Sequence, residues 1–515
     1  MTHVVRSLHG RNRPRSGSVS FVTSLTFSCL LLLTLLLMGG CSEPDRSVLK
    51  FGLSSNPITL DPRFATDAAS SRVNRLIYAR LTDFDQGFKP VPALASWVQL
   101  SDTHYRFTLG EQGREFHDGS RLTTADVEAT YASILDADSG SAHRGSLKHI
   151  ERIEIVDENV IDFRLSRPDP LFPGFLGLGI VPAHLIGTEH PINRQPVGSG
   201  ALKFVDWPQD GKLTLERVAD RQRIEFLKVP KPTVRVLKLL RGEIDLMQND
   251  LLPELVSWLE TREDINVTKA RGTNFAYLGF NMEDPVVGDP RVRRAIAHAV
   301  DREAIVRYVM GGGARLANAI LPPEHWAGAP DLVLIEHDPE RALQILAELG
   351  YDQSNPLRVV YKTSTNPVRV RIATIIQDQL AQAGIEVELR TYDWGTFYGD
   401  IKAGRFQMYS LAWVGIKLPD IFRYTMHSES LPDAGANRGR FISDTADRLI
   451  EQAESNTDLE RQAALYRELQ AHLLDELPYV PLWYEDHYLV ARSGVSGYDV
   501  AADGNYDGLK QVVSE

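Results

Sequence analysis

Two short stretches carry residue types that could do chemistry. The stretch FHDG (116–119) sets a histidine beside an aspartate, and VGSG (197–200) resembles a loop that wraps a phosphate. Adjacent residues on one turn rarely orient each other for proton transfer, so an Asp-Gly turn is the better interpretation of the first stretch. The second stretch lacks a lysine and a following helix, which favours a tight glycine loop over a phosphate site.

Other catalytic and metal-binding patterns are absent from the sequence. It contains no G-x-x-x-x-G-K-[ST], no G-x-G-x-x-G after a strand, no H-E-x-x-H and no G-x-S-x-G. The histidines form no i, i+4 pair, and Cys29 and Cys41 are the only cysteines, so the body of the chain has no thiol for a disulfide or a metal. The sequence therefore predicts a binding protein with no catalytic residue, no cofactor and no bound metal.

An arginine pair offers a different chemistry. The stretch NRGRF (437–441) places Arg438 and Arg440 two positions apart. Because a guanidinium fork binds carboxylate or phosphate bidentately, the pair predicts capture of an anion. The alternative is a loop with two surface arginines.

The elements that must position such residues are those of an α/β protein. Strand-like runs alternate with helical patterns, and 515 residues predict two or more domains. Thr123 with Asp126 predicts a capped helix start. Asp338, followed by Pro339 and later by Gly350, predicts the start and the end of another helix. The net charge of −12, with no basic cluster after residue 15, argues against nucleic-acid binding.

The first 41 residues predict export. Four arginines precede an apolar run from Phe21 to Met38, and Gly39 and Gly40 lead to Cys41. This arrangement is typical of a secretory signal. Gly-Gly-Cys also resembles a bacterial lipobox, in which residues 1–40 are removed and Cys41 is lipidated. We therefore expect a periplasmic protein that is lipid-anchored to a cell membrane, inner or outer. The alternative is an uncleaved signal anchor.

Eight stretches, in this order and at these spacings, resemble the family 5 solute-binding proteins of ABC importers, the peptide- and nickel-binding group. They cover essentially the whole mature chain: ITLDPRFATDAASSRVNRLIYARLTDFD (58–85), PALASWVQLSDTHYRFTL (92–109), REFHDGSRLTTADVEATY (114–131), PVGSGALKFVDW (196–207), LLRGEIDLM (239–247), LGFNMEDPVVGDPRVRRAIAHAVDREAI (278–305), LAQAGIEVELRTYDWGTFYGDIKAGRFQM (380–408) and ELPYVPLWYE (476–485).

The resemblance implies a bilobal periplasmic-binding-protein-like α/β fold of type II, cluster C-like, with an extra inserted subdomain. The implied boundaries are 42–70, 192–275 and 478–515 for a discontinuous lobe I, 71–191 for the inserted subdomain and 276–477 for lobe II. The ligand would be enclosed between the lobes by hinge closure. Segments near TNFAYLGF and LPYVPLWY would cross between the lobes, and their aromatics Tyr277, Trp483 and Tyr484 would either face the cleft or pack beneath it.

In the peptide-binding members, the ligand main chain is held as an added strand between two protein segments. The matching residues here are Thr66, Asp67 and Ala68, and Ala412, Trp413, Val414 and Gly415. Those members place an Asp three residues after the Trp, paired to the ligand α-amine, and this sequence has Ile416 there. An Arg that takes the dipeptide carboxylate falls near Thr363, beside Lys362, and is also absent.

Loss of both anchors disfavours dipeptides, because an ammonium buried without a partner is strongly unfavourable. Three alternatives stay open. The ligand could be a blocked or modified peptide, or it could be a neutral or anionic solute held by strand addition and stacking. Otherwise, different residues supply the charges, the candidates being Asp67, Asp393, Asp420, Arg423, Arg438 and Arg440.

The sequence predicts a monomeric receptor that captures oligopeptides or modified peptides and delivers them to the permease and ATPase of an ABC importer. One alternative is the same fold binding an opine-like solute, an oligosaccharide or a metal chelate. Another is sensing or chaperone activity without transport. An enzyme acting on cell-wall peptides is disfavoured by the missing catalytic residues.

Overall fold

A computed structural model of the chain describes residues 48–208, 211–432 and 435–514. The predicted signal and Cys41 lie outside these residues. The strands are β1 (Val48–Leu53), β2 (Thr82–Phe84), β3 (Pro90–Pro92), β4 (Ala95–Ser101), β5 (His104–Leu109), β6 (Ile150–Ile155), β7 (Val160–Leu165), β8 (Leu202–Asp206), β9 (Leu213–Arg217), β10 (Arg223–Lys228), β11 (Leu246–Gln248), β12 (Ile265–Phe280), β13 (Ala314–Leu316), β14 (Leu357–Ser364), β15 (Ile385–Tyr392), β16 (Met408–Trp413), β17 (Tyr479–Arg492), β18 (Val495–Ser496) and β19 (Val513–Ser514).

The α-helices alternate with these strands, as the sequence patterns predict. They are α1 (Ala68–Ile77), α2 (Thr124–Leu135), α3 (Arg144–Leu147), α4 (Phe172–Phe175), α5 (Pro232–Leu240), α6 (Pro253–Leu259), α7 (Pro290–Ala299), α8 (Arg302–Ala304), α9 (Pro339–Glu348), α10 (Pro367–Gln382), α11 (Trp394–Lys402), α12 (Ile421–Met426), α13 (Asp444–Glu454) and α14 (Leu459–Glu476). No helix within the described ranges has both the length and the apolar character needed to cross a membrane.

The helix starts predicted from local sequence are confirmed. Thr123 and Asp126 form a capping box at α2, in which the Asp126 carboxylate accepts the Thr123 N–H at 2.8 Å. Asp338 caps α9 by accepting the Arg341 N–H at 2.8 Å. Gly350, directly after this helix, has φ +84°, a left-handed conformation that favours glycine.

One eleven-stranded mixed sheet runs through the body of the chain. Its strand order is β15-β14-β16-β12-β17-β11-β1-β10-β9-β8, with β13 also paired to β17. The long strands β12 and β17 pair with each other, and they join the half of the sheet that contains β14–β16 to the half that contains β1 and β8–β11. We call β12 and β17 the crossing strands below, and their role as links between two lobes stays a prediction.

The pairing of β12 with β17 is interrupted between Ala270 and Asn274. Gly272 lies in this irregularity, and a Cβ atom placed there would be 2.0 Å from the Glu485 carbonyl oxygen. Such close backbone approach leaves room only for glycine. The irregularity thus divides the pairing of the two crossing strands into two portions.

A second, four-stranded antiparallel sheet has the order β4-β5-β7-β6. It has its own apolar core with α2, which includes Phe107, Tyr131 and Phe163, all fully buried. The segments that flank β6 and β7, within residues 142–149 and 167–178, line the cavity described below.

The stretches FHDG and VGSG contact each other. The His117 N–H donates to the Gly198 carbonyl at 2.8 Å, and its ring Nε2 lies 3.0 Å from the Gly200 carbonyl oxygen. Gly119 has φ +89° and closes a turn on Phe116. Both stretches are therefore structural, as the turn interpretation predicts.

Candidate functional site

Strand β16 has an edge that its neighbours leave partly open. β12 pairs along its full length, from Phe280–Met408 to Phe275–Trp413. On the other side β14 pairs only at Tyr361–Met408 and Lys362–Tyr409. In the described part of the chain no strand pairs with that side of β16 beyond Tyr409. Unpaired N–H and C=O groups at such an edge can accept an added strand.

The end of this edge, at Trp413, lies in the wall of a cavity of about 920 Å³, whereas the unpaired residues Ser410, Leu411 and Ala412 line a separate cavity of about 480 Å³. Its lining residues form two groups along the chain, which we call its walls: one within residues 75–84, 142–149 and 167–178, and the other within residues 413–435 together with Glu454 and Tyr466. The volume lies within the range that ligand sites of proteins occupy.

The four predicted residues after Ala412 line the cavity but differ in the exposed fraction of their side chains. Trp413, Val414, Gly415 and Ile416 all line the cavity. Val414 is 49% exposed, whereas Ile416 is 8% exposed and packs in an apolar cluster with Ile421. The wall is therefore apolar at the position where the resemblance implies an aspartate in peptide binders.

The other predicted segment does not line this cavity. Thr66 and Ala68 are exposed, and the Asp67 side chain caps α1 by accepting the Ser70 N–H at 2.9 Å. The nearest link is His143, a cavity residue whose Nε2 lies 3.0 Å from the Ala65 carbonyl oxygen. A ligand-binding role for residues 66–68 stays a prediction.

Arg438 and Arg440 do not form a fork. Arg438 is buried, with its guanidinium 4.6 Å from the Trp413 ring centroid and Nη2 donating to the Tyr398 hydroxyl at 3.0 Å. Arg440 instead donates to the Arg438 carbonyl at 3.0 Å and pairs with Glu283 at 3.3 Å. Neither side chain lines the cavity. Their direct contact with a ligand stays a prediction.

The three aromatics of the crossing strands are all buried. The Tyr277 ring stacks beneath Trp413, with centroids 6.5 Å apart. The Tyr484 hydroxyl donates to the Ala319 carbonyl at 2.6 Å and so faces away from a ligand. Trp483 lines a second cavity, of about 480 Å³, next to β14 and β16.

The second cavity contains the position where the resemblance places a carboxylate-binding arginine. Thr363 lines it, and the adjacent Lys362 is paired with Asp400 at 2.7 Å. The sequence reasoning missed Arg369, which lines this cavity from α10 and forms an ion pair with Glu485. Its helix follows directly after β14, a position that no sequence motif indicates.

The charged residues suggested as replacement anchors separate into three groups. Asp393 caps α11 by accepting the Thr396 N–H at 3.2 Å, much as Asp67 caps α1. Arg423 pairs with Glu454 at 2.8 Å. Asp420 lines the cavity and has no ion-pair partner among residues 48–208, 211–432 and 435–514.

Asp169, which the sequence reasoning missed, is the second cavity carboxylate of this kind. It lies after β7 in the stretch RPDP (167–170), which has no motif to signal it. Burial raises the pKa of Asp169 to about 7, and the nearby charge of Glu454 acts in the same direction. Burial also raises the pKa of Asp420 to about 7, helped by the charges of Asp169 and Glu454.

The described residues contain no candidate metal site. The described residues contain no cluster of three or more His, Cys, Asp or Glu side chains suited to an ion. What the cavity offers is an open strand edge, aromatic surface beside it and two unpaired carboxylates.

The chain resembles known binding proteins over most of its length. It is 24% identical over 483 residues to the oligopeptide-binding protein AppA of Bacillus subtilis, covering 87% of this chain and 88% of that protein. It is 28% identical over 526 residues to di/tripeptide-binding protein 2 of Pseudomonas aeruginosa, covering 94% and 97%.

The fold also matches solved structures over most of the length of the chain. The structure of NikZ from Campylobacter jejuni in complex with Ni(L-His) superimposes with a TM-score of 0.80 at 21% identity, covering 91% of this chain and 100% of that one. The α/β fold is thus that of the bilobal periplasmic binding proteins. The family profile "Bacterial extracellular solute-binding proteins, family 5 Middle" matches residues 88–432, and the chain belongs to this family.

Proposed function

We propose that this protein is the receptor of an ABC importer and that it captures peptides or peptide-like solutes in the 920 Å³ cavity. The observation that carries the proposal is the open edge of β16, which ends in the cavity wall at Trp413. Backbone hydrogen bonds to such an edge give affinity for any peptide main chain, whatever its side chains. The oligopeptide- and di/tripeptide-binding relatives support this substrate class.

Capture would proceed by closure of two lobes. We assign residues 42–70, 192–275 and 478–515 to lobe I, 71–191 to an inserted subdomain and 276–477 to lobe II. The crossing strands β12 and β17 support this division, because they join the two halves of the sheet. A ligand that touches both walls stabilises the closed form, which would then deliver it to a permease driven by an ATPase.

The proposal also covers where the protein is located in the cell and that it acts as a lipid-anchored monomer. Residues 1–40 would be removed on export, and Cys41 would carry the lipid that holds a monomeric receptor at a membrane. The family is extracellular by its description, which supports export. We assign no enzymatic step, because the family and the relatives are described as solute- or peptide-binding proteins.

A second candidate is the same receptor for a non-peptide solute. Ile416 favours it, because this buried apolar residue replaces the carboxylate that the resemblance implies for a peptide amine. The solved relative with Ni(L-His) is an example of a small non-peptide ligand on the same fold.

The test is a ligand screen on the purified exported protein. Mass spectrometry would identify whatever is released on denaturation, and thermal unfolding would be followed with peptide pools, opine-like amino-acid derivatives and oligosaccharides. A ligand at one hundred times its Kd adds about 2.7 kcal/mol of stability. Stabilisation by peptides supports the proposal, and stabilisation by the other solutes alone overturns the peptide assignment. Hydrolysis of a peptide by the protein would overturn the non-enzymatic assignment.

A further inference from the structure

We propose that Asp169 and Asp420 together bind a primary ammonium group of the ligand, a site that rests on the receptor function proposed above. Asp169 belongs to the wall that includes residues 167–178, and Asp420 belongs to the wall within residues 413–435, four residues after Ile416. A cation between them would therefore contact both walls of the cavity.

The first argument is which charged groups of the cavity form ion pairs and which do not. Each lining arginine or lysine except Lys148 has an acidic partner. These pairs are Arg75 with Asp83 and Asp507, Arg80 with Asp83, Arg167 and Arg423 with Glu454, and Lys417 with Asp503. Lys148 is exposed and pairs with no described acid. In the described chain Asp169 and Asp420 are the lining acids left without an ion pair.

The lining histidines do not form ion pairs with Asp169 or Asp420 either. Burial lowers the pKa of His149 to about 4, with the neighbouring charge of Arg167 acting in the same direction. Burial also lowers the pKa of His143. Both rings are therefore neutral at pH 7, and neither provides a cation for the two carboxylates.

The second argument is the position of each carboxylate. The Asp169 Oδ1 accepts the Leu171 N–H at 3.0 Å, and the Asp169 carbonyl accepts the Tyr105 hydroxyl at 3.0 Å, so this segment is held in place. The Asp420 carbonyl accepts the Tyr424 N–H at 3.1 Å at the start of α12. Each carboxylate retains free lone pairs for a ligand.

A third oxygen lies beside the pair. Tyr466 is fully buried and lines the cavity, and its hydroxyl has no hydrogen-bond partner in the described chain. Burial raises the pKa of this phenol, and the charges of Asp420 and Asp169 act in the same direction, which places the ring in their field. Stacking on Phe422, with centroids 5.6 Å apart, orients the ring.

Two carboxylates and one phenol oxygen match a primary ammonium, which has three N–H donors. A divalent cation fits less well, because the described residues offer no third charged or imidazole ligand here. The ammonium could be the α-amine of a peptide or the side-chain amine of a lysine-like residue. Both have the same chemistry, so the experiment must separate them.

The experiment measures binding to the purified exported protein by calorimetry and thermal shift. The probes are a pool of tri- to pentapeptides with free amino termini, the same pool after N-acetylation, N-acetylated peptides that contain lysine, and 1,4-diaminobutane. The variants are Asp169→Asn, Asp420→Asn and the double variant, which keep the side-chain shapes. Asp331→Asn is the matched control, because Asp331 is exposed and has no ion pair with a described residue.

We expect each single Asn variant to weaken binding of amine-bearing probes about tenfold and the double variant about a hundredfold. Tyr466→Phe should have a smaller effect, and the control none. Loss of binding on N-acetylation identifies the α-amine. If N-acetylated peptides that contain lysine bind while N-acetylated peptides without lysine do not, the bound group is a side-chain amine.

The outcomes separate the two proposals. Equal affinity for free and N-acetylated peptides without lysine, or full affinity in the double variant, overturns the ammonium site and leaves the peptide receptor intact. Binding of diaminobutane that the double variant loses, with no binding of any peptide, supports the ammonium site and overturns the peptide assignment. No binding of any of these probes to the wild-type protein overturns both.

Discussion

The guanidinium of Arg438 lies 4.6 Å from the centroid of the Trp413 ring, and the nearly parallel ring of Tyr277 has its centroid 6.5 Å from the same indole. Arg438 is also 5.1 Å from the Tyr398 ring, and it has no acidic partner in the described chain. The arginine thus serves as a support for the aromatic side chain at the end of β16 rather than as one half of an ion pair.

Replacing Arg438 by methionine tests this support. We expect a loss of about 1–2 kcal/mol in the free energy of unfolding, since both the cation–π contacts and the bond to Tyr398 disappear. Ligand affinity should fall because Trp413 loses its fixed orientation. Chemical denaturation and tryptophan fluorescence measure both effects.

The control for this prediction is Arg358→Met. Arg358 is exposed and pairs with Glu386 at 2.8 Å on the surface of β14. Surface pairs of this kind contribute about 0–1 kcal/mol. An equal loss in both variants would contradict a special role for Arg438.

Introducing an aspartate at Ile416 tests whether the apolar wall tolerates the anchor that the resemblance implies. Because Ile416 is 8% exposed, Ile416→Asp should lower the free energy of unfolding by about 2 kcal/mol at pH 7. Peptides with a free amino terminus should recover part of this loss, and N-acetylated peptides should not. Ile416→Val is the control for packing, and a fully stable aspartate variant would show that the wall is not apolar.

The stability of the ligand-free protein should depend on pH through the unpaired carboxylates. Asp169 and Asp420 have a pKa of about 7 in the folded state, mainly because of burial, against an ordinary value of 3.8. The folded state therefore binds protons more tightly than the unfolded state. The stability that this tighter proton binding gives to the folded state is fully present below about pH 4. It is lost as the pH rises to about 7 and above.

The charges of Glu454 and Arg167 act on the pKa of Asp169, and the charge of Glu454 acts on the pKa of Asp420 as well. Arg423 is the second ion-pair partner of Glu454. Urea unfolding between pH 5 and pH 8 measures the dependence. The double variant with asparagine at 169 and 420 should show a smaller slope. A slope unchanged from that of the wild type would contradict the assignment.

The close approach at Gly272 predicts a strong effect of a single methyl group. Gly272→Ala places a Cβ atom 2.0 Å from the Glu485 carbonyl oxygen, so the crossing strands must separate locally. We expect a loss of more than about 2 kcal/mol in the free energy of unfolding. Gly399→Ala is the control, because nothing lies within 4 Å of a Cβ there and alanine favours its helix. Thermal unfolding of both variants is the measurement.

Much of the architecture followed from local patterns. The caps at Thr123 and Asp338 involve residues three positions apart, so the chain encodes them without tertiary contacts. The order of the family motifs likewise indicated the bilobal fold. The caps can be predicted from the sequence alone because the residues that form them are close in the chain.

The charge pattern of the cavity was decided by the tertiary structure. Asp169 follows a strand of the small sheet and Asp420 precedes α12, and only folding brings them into the walls of one cavity. Whether a carboxylate is paired depends on which arginines other acids already bind, and Glu454 takes both Arg167 and Arg423. The sequence by itself determined the family and the missing anchor at Ile416, whereas long-range packing decided which charges were left for a ligand.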